Sequence, residues 1–277
     1  MKLLRLICLS LLGTLTATLP ILRPAQAQAP HTVTIDFERL RLEGVALAQE
    51  AAQRSQFQQY DIALQQVELA TQLVPDDFRI WAVAADVYLR TDNLDKAIGA
   101  LKMAQTLEPE DASIQLALGT AYFRQDNFSE AIRYYEKGVQ LKPDSPGALF
   151  DLGNAYYMTD QLDKALTTYE KAVALGDDFW EAINNIGLVQ YEQGKADDAI
   201  AQWTRAVAIN GKAAEPKLAL AAALHAQGKR FEAIRLASQA LKIDAQYRDI
   251  EFLRTQLWGD RLIDATKSLL QSGALRE

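Results

Sequence analysis

Few residues in this sequence suit catalysis or metal binding. There are 2 His, 1 Cys and some adjacent acid pairs such as Asp76-Asp77, Asp177-Asp178 and Asp197-Asp198. One Cys cannot form an intramolecular disulfide or a Cys-based zinc site. His31 lies in an N-terminal tail. His225 lies late in a patterned helix, where a lone His reads as a solvated or groove-edge residue. The acid pairs fall at helix starts and turns, where negative charge offsets the helix dipole, a simpler role than metal binding or acid–base work. No G-x-x-x-x-G-K-[ST] loop, G-x-G-x-x-G turn, G-x-S-x-G elbow or H-E-x-x-H helix occurs. The residues therefore indicate a non-enzymatic protein without a metal or other cofactor.

The chain has 277 residues, 49% apolar and 23% charged, with 29 basic and 36 acidic side chains. This composition suits a folded chain and excludes a disordered or collagen-like one. The net charge of −7 argues against nucleic acid as a partner, because phosphate contacts need a basic surface.

Lys2 and Arg5 precede a Leu-rich apolar run from Leu6 to Leu22, followed by Ala25-Gln26-Ala27-Gln28-Ala29. A basic start, an apolar stretch and an A-x-A site read as a secretory signal over residues 1–27, cleaved after Ala27. The alternative is an uncleaved anchor, since Leu3 to Leu22 is long enough to span a bilayer. Both readings keep Lys2 and Arg5 cytoplasmic and export the rest. Without residues 1–27, which hold Lys2, Arg5 and Arg23 and no acid, 26 basic and 36 acidic residues remain, a net charge of −10.

The elements beyond this point repeat every 34 residues. Ala63, Ala97, Ala131, Ala165, Ala199 and Ala233 form one column. Ala70, Ala104, Gly138, Ala172, Ala206 and Ala240 form a second, and Ala51, Ala85, Gly119, Gly153, Gly187 and Ala221 a third. Pro75, Pro109 and Pro143 keep the same spacing. Columns seven apart lie on one helix face, and small residues there let a neighbouring helix approach. Polar turns such as Thr91-Asp92-Asn93 and Gln193-Gly194-Lys195 separate the helices of each pair. Each Pro stops a second helix, and the acid after it (Asp76, Glu110, Asp144) falls near the next helix start.

The pattern resembles the tetratricopeptide repeat. Tyr88, Tyr122 and Tyr156 follow the small-residue column by three, and Leu101, Tyr135, Tyr169 and Trp203 follow the first Ala column by four. The resemblance implies an all-α fold, a right-handed superhelical solenoid of six helix pairs at 44–77, 78–111, 112–145, 146–179, 180–213 and 214–247. Residues 28–43 form a tail and helix start, and 248–277 form capping helices. The first repeat departs from the pattern at Glu50 and Arg54, and the last at Lys217. Trp258 reads as a core aromatic that fills the terminal groove.

The resemblance also implies a concave surface lined by the first helix of each pair. Asn154 and Asn185 match the asparagines with which family members hold an extended peptide backbone, and an Asn side chain offers both a donor and an acceptor. Carried onto this sequence, the peptide-binding groove comprises Asn154, Asn184, Asn185, Phe123, Arg124, Phe150, Tyr157, Leu188, Tyr191 and Arg90. The alternative is that Asn154 and Asn185 only bond each other. Phe150, Glu215 and Ala219 stand where the chaperone-binding variant places cations, which argues against acidic C-terminal tails as ligands.

These features indicate an exported scaffold or adaptor that binds protein segments, extended or helical, in its groove and assists assembly of membrane-associated complexes. The expected location is the periplasm or the thylakoid lumen, near a membrane. The signal, the acidic mature chain and the Leu257-Trp258-Gly259-Asp260-Arg261-Leu262 stretch look similar to exported cyanobacterial or plastid-type repeat proteins that assist photosynthetic complex assembly. The alternative is a structural part of an envelope machine for secretion, pilus or cell-wall assembly, acting through convex or end-to-end contacts.

Overall fold

The computed structural model describes residues 35–272 and Leu275. The N-terminal apolar run, both A-x-A sites and His31 lie outside the described residues. From Phe37 onward the chain forms one compact unit. Its described elements are all helical, and twelve of them form six antiparallel pairs. The pairs are α1 (Phe37–Gln56) with α2 (Tyr60–Leu73), α3 (Phe78–Arg90) with α4 (Leu94–Leu107), and α5 (Ala112–Arg124) with α6 (Phe128–Leu141). They continue with α7 (Pro146–Met158) and α8 (Leu162–Leu175), α9 (Trp180–Glu192) and α10 (Ala196–Ile209), and α11 (Ala214–Ala226) and α12 (Arg230–Ile243). A 3-10 turn (Ala245–Arg248), α13 (Ile250–Thr255) and α14 (Asp260–Gln271) follow. α1 starts seven residues ahead of the repeat boundary expected at 44, and Arg41 on its extra turns pairs with Asp76 at 2.9 Å.

The turn inside each pair is closed by one left-handed residue. Gln58, Asp92, Asp126 and Asp160 have φ of 60°, 59°, 57° and 57°, and Gly194 and Gly228 have 82° and 81°. The six positions are 34 residues apart. Asp tolerates this region because its short polar side chain bonds locally, and Gly meets no Cβ penalty. Asp77, Asp111 and Ser145 cap the starts of α3, α5 and α7 with side-chain oxygens. The caps lie one residue after the acids that follow Pro75, Pro109 and Pro143, because the cap oxygen must reach a backbone N–H two or three residues ahead.

Packing within a pair follows size complementarity. A Cβ on Gly153 would lie 2.5 Å from the Tyr169 ring, and one on Gly187 2.5 Å from Trp203 Nε1. Tyr135 presses on Gly119 in the same way. Where the partner is the smaller Leu101, the same register holds Ala85, and both are buried. Trp203 and Tyr169 are fully buried as a result.

Successive pairs are tied by polar contacts at fixed register. Gln125, Gln193 and Gln227 donate to Asp95, Asp163 and Asp197 of the preceding pair at 2.8, 3.0 and 2.7 Å. Trp81 Nε1 donates to the Pro75 carbonyl at 2.9 Å, and Gln115 Nε2 to the Pro109 carbonyl at 3.0 Å. At the same register Lys217 is buried, and its Nζ donates to the Gly211 carbonyl. The cation at this apolar position therefore braces the turn between repeats as Trp81 and Gln115 do.

The C-terminal segment does more than close the last repeat. The 3-10 turn lies against α12, but α14 packs across α11 and reaches α9. α9 and α11 are first helices of their pairs, so α14 covers part of the inner face of the last two repeats.

Candidate peptide-binding groove

Asn154 lies on α7 and Asn185 on α9, 31 residues apart, and stacking of the pairs brings them into contact. Asn185 Nδ2 donates to Asn154 Oδ1 at 2.9 Å, and the Tyr169 hydroxyl donates to the same oxygen at 2.7 Å. Two donors on one oxygen fix the amide orientation, so Asn154 Nδ2 points away from both. The asparagines do bond each other, but this consumes only the acceptor of Asn154. No internal hydrogen bond among the described residues uses its Nδ2.

Asn184 is 1% exposed. Its Nδ2 donates to Asn185 Oδ1 at 3.1 Å and to Glu215 Oε1 at 3.0 Å. Its own Oδ1 is buried without a hydrogen-bond partner. Turning the amide over would set its oxygen against two acceptors, so these two bonds fix its orientation. Trp203 Nε1, seated under Gly187, donates to the Asn184 carbonyl at 3.1 Å and fixes this stretch of α9.

Around these amides is a cavity of about 270 Å³, lined by Phe123, Phe150, Asn154, Glu181, Asn184, Asn185 and Glu215, and by Thr255, Gln256 and Leu257. Phe150 is wedged between Tyr169 and Phe179, with ring centroids at 5.8 and 5.3 Å. Phe123 meets Phe128 edge-on at 5.2 Å. Both rings are half-buried and keep a face toward the cavity. Glu215 is half-buried in surface terms, because it opens onto the cavity while protein encloses its other sides. Burial pushes its carboxyl up to about 7, and hydrogen bonds from Asn184 and Trp258 oppose the shift. Asp151 on α7 is pushed up to about 6 by burial alone.

The other groove residues lie elsewhere. Leu188 and Tyr191 are 2% and 8% exposed, in one core with Leu253, Trp258, Leu262 and Ile263. They are not open to a partner, because the C-terminal segment already fills that part of the groove. Tyr157 is half-buried, and burial pushes its hydroxyl up. Arg90 pairs with Asp86 at 2.8 Å. Arg124 joins Asp92 at 2.8 Å and the Leu89 carbonyl at 2.7 Å, which ties it to the preceding turn. Neither arginine lines the cavity.

The sequence places Trp258 in the terminal groove, but not its bond to Glu215 or the covering of Leu188 and Tyr191. Leu257, at φ 64°, turns the chain so that Trp258 is buried and donates to Glu215 at 3.2 Å. The Glu192 carboxylate accepts from the Leu262 and Arg261 backbone N–H groups at 3.1 and 3.3 Å and so caps α14. Burial raises the Glu192 carboxyl, and these two N–H bonds oppose the rise. The available signal was Gly259, where any Cβ would collide with the Glu192 side chain.

Among the described residues no group of His, Cys, Asp and Glu is arranged to hold a metal ion, and no helix is long and apolar enough to cross a membrane. The tetratricopeptide repeat family profile matches residues 45–112, 116–178 and 184–248. The chain belongs to the tetratricopeptide repeat family. Comparison with curated protein sequences finds no match. Among solved structures, a crystal structure of MamA protein is 26% identical, with a TM-score of 0.55 over 61% of this chain and 92% of its own. YrrB, described as a TPR protein with an unusual peptide-binding site, is 20% identical, with a TM-score of 0.56 over 70% of this chain and 98% of its own. The pilF protein of Pseudomonas aeruginosa is 16% identical, with a TM-score of 0.64 over 79% of this chain and 98% of its own. The likeness to YrrB and pilF shows the TPR fold.

Proposed function

We propose that this chain is an exported TPR adaptor that holds an extended protein segment in the uncovered part of its groove, along α3, α5, α7 and the first half of α9, and so assists assembly of membrane-associated complexes. One observation carries the reading. Asn154 has its oxygen fixed by two internal donors and its Nδ2 left to donate over the cavity between Phe123 and Phe150. A peptide carbonyl supplies the acceptor that this amide lacks, and the two rings supply apolar anchorage. The peptide-binding site named for YrrB supports the same class of ligand.

Asn154→Asp tests this. The substitution keeps an oxygen for Tyr169 and Asn185 and exchanges the donor for an acceptor, which repels a peptide carbonyl. Peptides selected from a random display library on the purified full chain should bind the variant roughly tenfold or more weakly, with the thermal transition retained. Equal binding to both proteins would remove the groove reading.

A second reading, a structural part of an envelope machine, draws support from Phe231 on α12, which is 87% exposed on the outer layer of helices. An unpartnered aromatic of that size suits a contact between proteins. Under that reading Phe231→Ser abolishes association and Asn154→Asp leaves it intact. Export rests on the A-x-A pattern, and N-terminal sequencing of the protein recovered from its native compartment should begin at Gln28.

A further inference from the structure

The cavity beside Asn154 is acidic without an internal counter-charge. Glu181 and Glu215 both line it, and none of the ion pairs among the described residues includes either. The cations within two residues of a lining residue are committed elsewhere, Arg254 to Asp260. Arg124 is held by Asp92 and the Leu89 carbonyl, and Lys217 by the Gly211 carbonyl. Glu215 accepts from Asn184 and Trp258, two neutral donors that both meet Oε1. Glu181 makes no hydrogen bond among the described residues.

An independent observation points to a donor from outside. Asn184 is buried and lines this cavity, yet its Oδ1 has no partner. A buried acceptor left unpaired has given up its hydrogen bond to water and gained none in return. The site thus holds two carboxylates without a counter-charge, Glu181 and Glu215, and one unpaired acceptor, Asn184 Oδ1, with Phe123 and Phe150 in the same lining.

We propose that this cavity is a slot for one basic side chain, Lys or Arg, of the segment bound in the groove. The inference rests on the segment-binding reading above and adds what that segment must carry. An ammonium or guanidinium group has donors only, so it suits a site whose polar lining is rich in acceptors, and it is attracted to the faces of aromatic rings. The extended backbone lies along Asn154, and one side chain descends from it to Glu215. This chemistry is opposite in sign to a clamp for terminal carboxylates. It also fits Glu215 standing at the place where a carboxylate clamp needs a cation.

The test uses two small probes on the full chain labelled with 15N: Nα-acetyl-arginine methylamide and Nα-acetyl-norleucine methylamide. The arginine probe should shift the Trp258 indole and Asn184 side-chain amide signals in a saturable manner, and the norleucine probe should not. The double variant Glu181→Gln and Glu215→Gln, isosteric and without charge, should bind the arginine probe roughly tenfold more weakly. Glu181→Gln alone breaks no internal bond, so the fold is not at stake, and it should give part of that loss. Equal shifts from both probes would overturn the slot while leaving segment binding in place. Shifts from neither probe would also overturn it, and the Asn154→Asp experiment then decides segment binding separately.

Discussion

Asn154 and Gly119 show how single residues set this protein's behaviour. Asn154 has one end tied into the core and the other directed at the cavity, so its two ends can be separated by mutation. The aromatic registers have a similar logic. Gly119→Ala places a methyl against the Tyr135 ring and should destabilise the fold by about 1–3 kcal/mol. Adding Tyr135→Leu rebuilds the pairing seen between Ala85 and Leu101 and should restore most of that loss. Tyr135 also donates a hydrogen bond to Thr120 at 3.2 Å, which Leu does not replace. Urea unfolding of both single variants and the double variant gives the coupling. Additive losses would show that size matching does not govern this register.

At the scale of elements, the C-terminal segment separates two halves of the groove. The segment covers α11 and the second half of α9, while α3, α5, α7 and the first half of α9 keep their inner faces open. Trp258→Ala should cost about 3–5 kcal/mol and remove a donor from Glu215. Amide hydrogen exchange should then rise in α11 and α14 and stay unchanged in α3–α6, because each repeat contacts only its neighbours. A uniform rise along the chain would contradict the local role. The helix pairs were legible because small residues, turns and prolines repeat at one spacing, and the left-handed turns fell where Asp and Gly had marked them. The burial of Trp258 was legible from its size and apolar flanks. The covering of Leu188 and Tyr191 was not, because an amphipathic helix shows that it must bury a face and leaves open which surface it meets. The missing signal lay in a long-range cap, Glu192 on the start of α14, about 70 residues away in sequence. Likewise the Asn154–Asn185 pairing followed from the repeat, whereas the unpaired oxygen of Asn184 depends on a third repeat, through Glu215.

For the whole molecule, the buried acids set how stability responds to pH. Glu215 in the folded chain holds its proton up to about 7, while an unfolded Glu loses it near 4.5. Between these values the folded state binds the extra proton, so Glu215 makes stability fall as pH rises from about 4.5 to 7. Asp151, pushed from 3.8 to about 6, acts in the same direction over a lower window. Glu215→Gln should therefore raise Tm at pH 8, change it little at pH 4, and flatten the decline between. A variant whose Tm tracks the parent at every pH would show that Glu215 carries no such burden. The central claim is that a partner segment lies in the open groove and not on the outer layer of helices. Photo-crosslinking tests it most directly, with p-benzoylphenylalanine placed at Phe150 in the groove or at Met103, which is 43% exposed on α4. The account predicts adducts with library-selected peptides from position 150 and none from position 103. Adducts from position 103 alone would contradict it.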